Sequence, residues 1–163
     1  MNYKYFDKVD KFIELSKEKL ICDICREVKL CFNADWYRGK NKLHSVCPSC
    51  LQSGKLRNLD ISTCTGDFEE LKTQLKQLMP NYSESEIAML AIEKSIELET
   101  TTPHLVTRQD WYRPCIDGEY CKFIGYGSKL FYKKLAGALP AKDFFKDSFY
   151  INDSYYDSLW ENV

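Results

Sequence analysis

The sequence predicts an α+β fold in which a small four-cysteine module packs against a lobe of helices and short strands. Three observations predict it. Two Cys-x-x-Cys pairs stand near the N-terminus, two stretches with helical periodicity follow between residues 68 and 98, and the residues after 105 are rich in aromatic residues and glycine without a helical period. We expect one domain over residues 1–163, with the module at about 22–66 and the lobe formed by 1–20 and 67–163.

The cysteine pairs carry the strongest signal in the sequence. Cys22 and Cys25 form the first pair, and 21 residues separate them from the second pair, Cys47 and Cys50. Two such pairs at this spacing are typical of a tetrahedral zinc site of the zinc-ribbon kind. Because four protein thiolates fill the coordination shell of Zn²⁺, no position remains for water or substrate. The pattern therefore predicts one structural zinc ion per chain.

The other four cysteines fit a metal site less well. Cys31 lies six residues beyond the first pair, which is a poor spacing for a ligand, and Cys64 is expected to pack as a small buried hydrophobe. Five residues separate Cys115 from Cys121. These two are either half-buried thiols or, with an added ligand such as His104, part of a second metal site.

Helical periodicity predicts three helices. In residues 3–20, apolar side chains fall close to one face, and in residues 68–79 they recur at helical spacing up to Pro80. Ser83 and Glu86 form a capping box that begins a third helix, expected to run to about Leu98. A hairpin is expected around residues 33–41, and Met79, Met89 and Leu90 are expected in the core.

Charge is distributed unevenly although the net charge is only −1. Residues 1–59 carry twelve Lys and Arg against seven Asp and Glu, whereas residues 60–103 carry three against nine. Such runs are either solvated faces or an acidic surface directed at a basic partner. The balance argues against nucleic acid as the main partner.

The remaining patterns exclude several classes of protein. The N-terminus lacks an apolar stretch typical of a signal peptide, and no run of 18 apolar residues predicts a membrane helix, so we expect a cytoplasmic protein with reduced thiols and no membrane association. His44, three residues before Cys47, is either a support for the zinc ligands or a surface imidazole. Nucleophile-elbow, HExxH and deaminase signatures are absent, and we therefore expect no enzyme.

Several short motifs resemble the CbrC family of small bacterial proteins. In chain order they are Tyr37-Arg38-Gly39, Cys47-Pro48-Ser49-Cys50-Leu51 with Gly54, Thr102-Pro103, and Cys115 followed by Tyr120-Cys121-Lys122-Phe123-Ile124-Gly125. The cysteine pairs alone are generic, whereas their combination with Cys-Lys-Phe-Ile-Gly is specific. That family is associated with tolerance to nuclease colicins, so the resemblance implies an immunity protein that binds and neutralises a cognate toxin domain.

Two surfaces are candidates for binding such a toxin, because an inhibitor needs aromatic anchors and charge complementary to a basic target. They comprise acidic residues of the third helix and acidic and aromatic residues of the tail: Glu84, Glu86, Glu93, Glu97, Asp147, Asp153, Tyr155, Tyr156, Asp157 and Trp160. The alternative is a nucleic-acid-binding zinc ribbon. It would use a basic and aromatic set in the module: Lys29, Trp36, Tyr37, Arg38, Lys40, Lys42, Lys55 and Arg57.

Overall fold

The computed structural model describes residues 1–106 and 112–136, and within them the fold is α+β, as the sequence predicts. The chain divides into two compact units, Met1–Ile124 and Gly125–Val163. The first unit contains the four cysteines and all the strands described below. In the described part of the second unit, one helix is present. The division into a zinc module and a lobe stays a prediction.

Every strand in the described ranges is two residues long and pairs with one antiparallel partner. The strands are β1 (Leu20–Ile21), β2 (Val28–Lys29), β3 (Phe32–Asn33), β4 (Arg38–Gly39), β5 (Ser45–Val46), β6 (Ile61–Ser62), β7 (Cys115–Ile116) and β8 (Glu119–Tyr120). The pairs are β1 with β2, β3 with β5, β4 with β6, and β7 with β8. The hairpin expected at residues 33–41 is wrong in its bounds. β3 pairs with β5 rather than with β4, and β4 pairs with β6, which lies outside the expected hairpin.

The helices are α1 (Pro48–Gln52), α2 (Phe68–Leu78), α3 (Glu84–Thr101) and α4 (Lys129–Ala136), and a 3-10 helix spans Lys55–Leu59. Asp67 caps α2 by accepting the Glu70 N–H at 3.1 Å. The predicted capping box of α3 is confirmed, since Ser83 and Glu86 exchange both hydrogen bonds. No helix in these ranges is long and apolar enough to cross a membrane.

The helix predicted for residues 3–20 is wrong. The segment forms isolated bridges and a single 3-10 turn at Val9–Lys11. Its backbone pairs with a distant residue, because the Asp7 N–H donates to the Phe123 carbonyl at 2.8 Å and the Phe123 N–H donates to the Tyr5 carbonyl at 2.9 Å. Long-range pairing and the burial of closely spaced aromatic side chains override the local helical preference here.

Two clusters of buried side chains form the core of the first unit. The first includes Tyr3, Phe6, Val9, Phe32, Val46, Leu51, Leu56, Ile61 and the buried cysteines of the module. The second lies between α2 and α3 and includes Tyr5, Leu71, Leu75, Ile87, Ala91, Leu98, Cys115 and Tyr120. Tyr5 and its neighbour Phe6 thus enter different clusters, which joins them through the N-terminal segment.

Of the three residues expected in the core of this region, two are placed as predicted. Met79 and Leu90 pack against the second cluster. Met89 is 60% exposed, so its prediction is wrong. The error arises because α3 carries apolar residues on both of its faces, and periodicity alone does not show which face is buried.

Candidate metal centre

The two cysteine pairs meet in one group. The four Sγ atoms all lie within 4.8 Å of one another, and those of Cys25 and Cys47 are 3.8 Å apart. A tetrahedron of Zn–S bonds of about 2.3 Å places its sulfur atoms about 3.8 Å apart. All four cysteines are free thiols rather than disulfides. The spacing and the donor set therefore fit a tetrahedral metal ion.

The first pair lies in a tight turn that joins β1 to β2. The Cys22 N–H donates to the Glu27 carbonyl at 2.9 Å, and the Arg26 N–H returns to the Cys22 carbonyl at 2.8 Å. Arg26 adopts a left-handed backbone conformation, with φ of 62°, which closes the turn immediately after the second thiol. This geometry presents both thiols of the pair on the inner side of a single loop.

The second pair lies at the start of α1, directly after β5. Cys47 is the N-cap residue, Pro48 occupies the first helical position, and Cys50 lies within the first turn. Proline suits this position because its fixed φ matches the helix and its missing N–H is not needed there. The Cys47 N–H donates to the Cys22 sulfur at 3.3 Å, which links the two pairs directly.

Asp23 fastens the two pairs together, and the sequence reasoning missed this role. Its carboxylate accepts the backbone N–H groups of His44 at 2.7 Å and Ser45 at 3.0 Å, just before the second pair. The Asp23 N–H in turn donates to the Ser45 carbonyl at 2.8 Å. Although partial burial opposes it, these bonds lower the pKa of Asp23. An acidic residue inside a Cys-x-x-Cys loop was the available signal.

The two thiols of the second pair have pKa values shifted in opposite directions. Burial raises the pKa of Cys50, and the hydrogen bond with Cys47 raises it further. Burial also opposes ionisation of Cys47, but hydrogen bonds from the Ser49 hydroxyl and the Cys50 N–H hold its pKa at about 6. Four thiolates this close repel one another, so a bound divalent cation is what allows all four to ionise.

The other cysteines lie outside this group. Cys31 is buried, and its thiol donates to the Lys29 carbonyl at 3.5 Å. Burial raises the pKa of Cys31 to about 11, so it stays a neutral thiol. Cys64 packs against the second core cluster, as expected. In residues 1–106 and 112–136, Cys115 and Cys121 belong to no group of three or more possible metal ligands.

His44 lies beside the centre through its backbone rather than its ring. The ring nitrogen Nδ1 is 2.7 Å from an Asp35 carboxylate oxygen, and the His44 side chain is 78% exposed. Of the two expectations, the surface imidazole is therefore the one that the structure shows. The histidine contributes its N–H to Asp23 and keeps its ring in solvent.

The acidic residues predicted on α3 take part in interactions within the chain. Glu86 accepts the Ser83 N–H at 2.8 Å in the capping box. The other three form ion pairs: Glu84 with Lys76, Glu93 with Arg57 at 3.0 Å, and Glu97 with Lys4 at 2.6 Å. The predicted tail residues Asp147, Asp153, Tyr155, Tyr156, Asp157 and Trp160 lie outside the described residues.

A half-buried polar network joins the N-terminal segment to α3 and β8. Glu119 accepts bonds from Lys94 at 2.7 Å and from the Tyr5 hydroxyl at 2.9 Å, and Lys4 lies 3.3 Å away. Partial burial raises the pKa of Glu119, but these donors outweigh it and hold the value at about 2. The Tyr5 hydroxyl also donates to Glu97 at 3.0 Å. The network fixes the segment that replaces the predicted N-terminal helix.

Comparison with known proteins gives one match. A family model described as Uncharacterised protein family (UPF0167) matches residues 1–159. The chain belongs to this family. The match includes all four clustered cysteines and every described element. No curated protein and no solved structure matches the chain.

Proposed function

We propose that Cys22, Cys25, Cys47 and Cys50 hold one structural Zn²⁺ ion. Thiolate donors select zinc among the abundant divalent cations, and four of them close the coordination shell. The ion would supply the positive charge that lets the four thiols ionise together. Asp23 and the Cys47 N–H hold the two pairs in place, so the centre organises the module rather than performing a reaction.

Metal content tests this proposal. Purified protein is expected to contain one zinc ion per chain by inductively coupled plasma mass spectrometry, and Cys47→Ser is expected to lose it. Cys31→Ser is the matched control, since this thiol is also buried but lies outside the group. Zinc-free wild-type protein, or equal zinc loss in both variants, would contradict the assignment.

Beyond the zinc centre, we propose that the chain is a non-enzymatic immunity protein that binds and neutralises a cognate bacterial toxin domain. The proposal draws on the motif resemblance to the CbrC family, which is compatible with membership of UPF0167. It also fits a site whose four protein ligands leave no open position for substrate.

The observation that carries a binding role is the outward face of α3. Met89 and Ile92 are 60% and 47% exposed, on the side of the helix opposite Ile87 and Leu98, which are buried. Adjacent exposed apolar side chains on a helix, bordered by charged residues, have the composition of a protein interface. Glu93 follows Ile92 in the chain, and its pair with Arg57 would form part of the polar rim.

A co-expression experiment tests the immunity role. The probe is the product of the reading frame adjacent to the gene, expressed with the full-length chain. We expect growth of the host and co-purification of the toxin domain. The double variant Met89→Asp with Ile92→Asp should weaken the complex by about 30-fold or more, as loss of interface anchors does.

Leu78→Asp provides the matched control for the α3 surface. Leu78 is 54% exposed at the end of α2, so its substitution adds a charge at a comparable apolar site elsewhere. It is expected to retain the toxin. If the wild-type chain neither protects the host nor retains the toxin domain, the immunity role is wrong. If the α3 double variant and Leu78→Asp retain the toxin equally well, the exposed face of α3 is not the toxin-binding surface.

Nucleic-acid binding by the zinc module is the second candidate function. Trp36 is 63% exposed in the basic segment that contains Arg38, Lys40 and Lys42, as a base-stacking platform requires. Lys40 pairs with Asp60 at 3.0 Å, which partly neutralises the positive charge of this segment. Tight binding of single-stranded DNA or RNA that falls steeply with salt, and is lost in Trp36→Ala, would favour this function over the immunity role.

A further inference from the structure

A pocket of about 460 Å³ opens on the first unit, and none of the four clustered cysteines lines it. It lies between β4, β6, the 3-10 helix and the last turn of α3. A volume of this order suits a small organic ligand, since such sites usually span about 300–1,000 Å³. The zinc centre does not use it, and it shares with the proposed toxin surface only Arg57, which pairs with Glu93.

The mouth of this pocket carries three cations and one carboxylate. Arg38, Lys40, Arg57 and Asp60 line it, and all four are exposed residues. Lys40 pairs with Asp60 at 3.0 Å, with side chains that are 84% and 74% exposed. Arg57 pairs with Glu93 at 3.0 Å, and their side chains are 53% and 62% exposed. Pairs this exposed contribute little, so a phosphate can replace the carboxylates at both cations.

The interior of the pocket has a different chemistry. Ile61 and Thr100 are buried, and Ile96 and Ser62 are half-buried, so the inner wall combines two isoleucines with two hydroxyl groups. Glu99 supplies a half-buried carboxylate, which accepts the Gly66 N–H; burial nevertheless raises its pKa. A carboxylate repels a phosphate but accepts hydrogen bonds from an amino group. The pocket thus has a mixed but mainly cationic mouth, two apolar side chains in its wall and one carboxylate inside.

We propose that this pocket binds a nucleotide, with its phosphate on Lys40 and Arg57, its base between Ile61 and Ile96, and an exocyclic amino group of the base on Glu99. Arginine and lysine are the usual phosphate ligands in proteins, and a carboxylate reads the amino group of cytosine. The nucleotide is either free or the phosphorylated end of a strand. This inference does not rest on the immunity role, and it takes Lys40 and Arg57 from the basic set of the nucleic-acid alternative.

Isothermal titration calorimetry on the zinc-loaded, full-length chain tests the proposal. The probes are CMP, UMP, cytidine, inorganic phosphate and a single-stranded oligonucleotide with a 5′ phosphate. We expect CMP to bind at least about tenfold more tightly than cytidine or phosphate, because only CMP engages both ends of the pocket. CMP should also exceed UMP, which lacks the exocyclic amino group.

Two sets of variants locate the site. Lys40→Ala with Arg57→Ala should weaken CMP binding by at least about tenfold, whereas Lys42→Ala with Lys55→Ala, which removes equal charge outside the pocket, should change it less than about twofold. Glu99→Gln should reduce the preference for CMP over UMP. Circular dichroism and zinc content of each variant verify folding.

The outcomes separate the sources and decide the proposal. If the oligonucleotide binds more tightly than CMP, and the variant Lys40→Ala with Arg57→Ala loses this binding, the ligand is the phosphorylated end of a strand. If CMP binds and the oligonucleotide does not, the ligand is a free nucleotide. No binding of any nucleotide at millimolar concentration would overturn the proposal. Equal affinity for phosphate and CMP, or equal loss in both double variants, would overturn it as well.

Discussion

Removing the carboxylate of Asp23 should loosen the cysteine centre without touching any of its four thiols. In Asp23→Ala, the N–H groups of His44 and Ser45 lose the acceptor that they reach at 2.7 and 3.0 Å. Ser45 is only 6% exposed, so water does not readily replace the lost acceptor. The strand that carries Cys47 to the first pair would then be held by the short β3–β5 pairing and by two backbone donors, the Asp23 N–H on the Ser45 carbonyl and the Cys47 N–H on the Cys22 sulfur.

The magnitude follows from the number and kind of bonds. Hydrogen bonds to a charged group contribute about 1.5–3 kcal/mol each, and the partial exposure of Asp23, whose side chain is 25% accessible, places both at the lower end. We expect a loss of about 3 kcal/mol for Asp23→Ala and about 1 kcal/mol for Asp23→Asn, which keeps a neutral acceptor. Because metal binding and folding are coupled, zinc affinity should fall up to about 100-fold in Asp23→Ala.

Two measurements check this prediction: urea unfolding followed by circular dichroism, and competition with a chromogenic zinc chelator. Asp35→Ala is the matched control, since Asp35 contacts the same residue, His44, through its exposed ring. It should change the unfolding free energy by less than about 0.5 kcal/mol. If Asp23→Ala and Asp35→Ala have equal stability and equal zinc affinity, Asp23 does not fasten the two pairs.

Three further predictions concern the metal, the acid limit and the packing of the first unit. Chelation of zinc or Cys47→Ser should unfold the module, seen as lost circular dichroism, whereas a zinc-free chain that keeps its fold would contradict a structural metal. The pKa of Glu119 is depressed from 4.5 to about 2, so its contribution is complete above pH 4.5 and is lost as pH falls toward 2; Glu119→Gln should cost about 1 kcal/mol at pH 7 and little at pH 2 in urea unfolding. In Gly66→Ala, the new methyl group would lie 2.3 Å from the Tyr120 ring, and overpacking should cost about 1–3 kcal/mol in urea unfolding. Unchanged stability would contradict this, because it would mean that the Tyr120 ring moves aside without cost.

The parts of the fold that could be predicted from sequence are those with local causes. The Cys-x-x-Cys turns need only a few residues each, and the capping box of Ser83 and Glu86 forms within one helical turn. Their geometry hardly depends on the rest of the chain. The four sulfurs therefore lie together as the spacing indicated, within 4.8 Å.

The parts that failed depend on distant partners. Residues 3–20 contain apolar side chains near one helical face, but Tyr3, Tyr5 and Phe6 are buried in two different clusters, and the backbone pairs with Phe123. No sequence window contains that partner. Met89 failed for a related reason, since α3 has apolar residues on both faces and only the packing of α2 selects Ile87 and Leu98 for the core.

The intramolecular pairs of α3 change what its acidic residues can do for a partner. Glu84, Glu93 and Glu97 each already pair with a cation of this chain. A basic toxin would therefore gain only the difference in free energy between its own ion pair with each glutamate and the existing pair. For exposed pairs that difference is small, about 0–1 kcal/mol. Met89 and Ile92 are 60% and 47% exposed, so burial of the exposed part offers about 1–1.5 kcal/mol each. On this surface, affinity would therefore come from the apolar anchors, while the acids would set orientation and association rate.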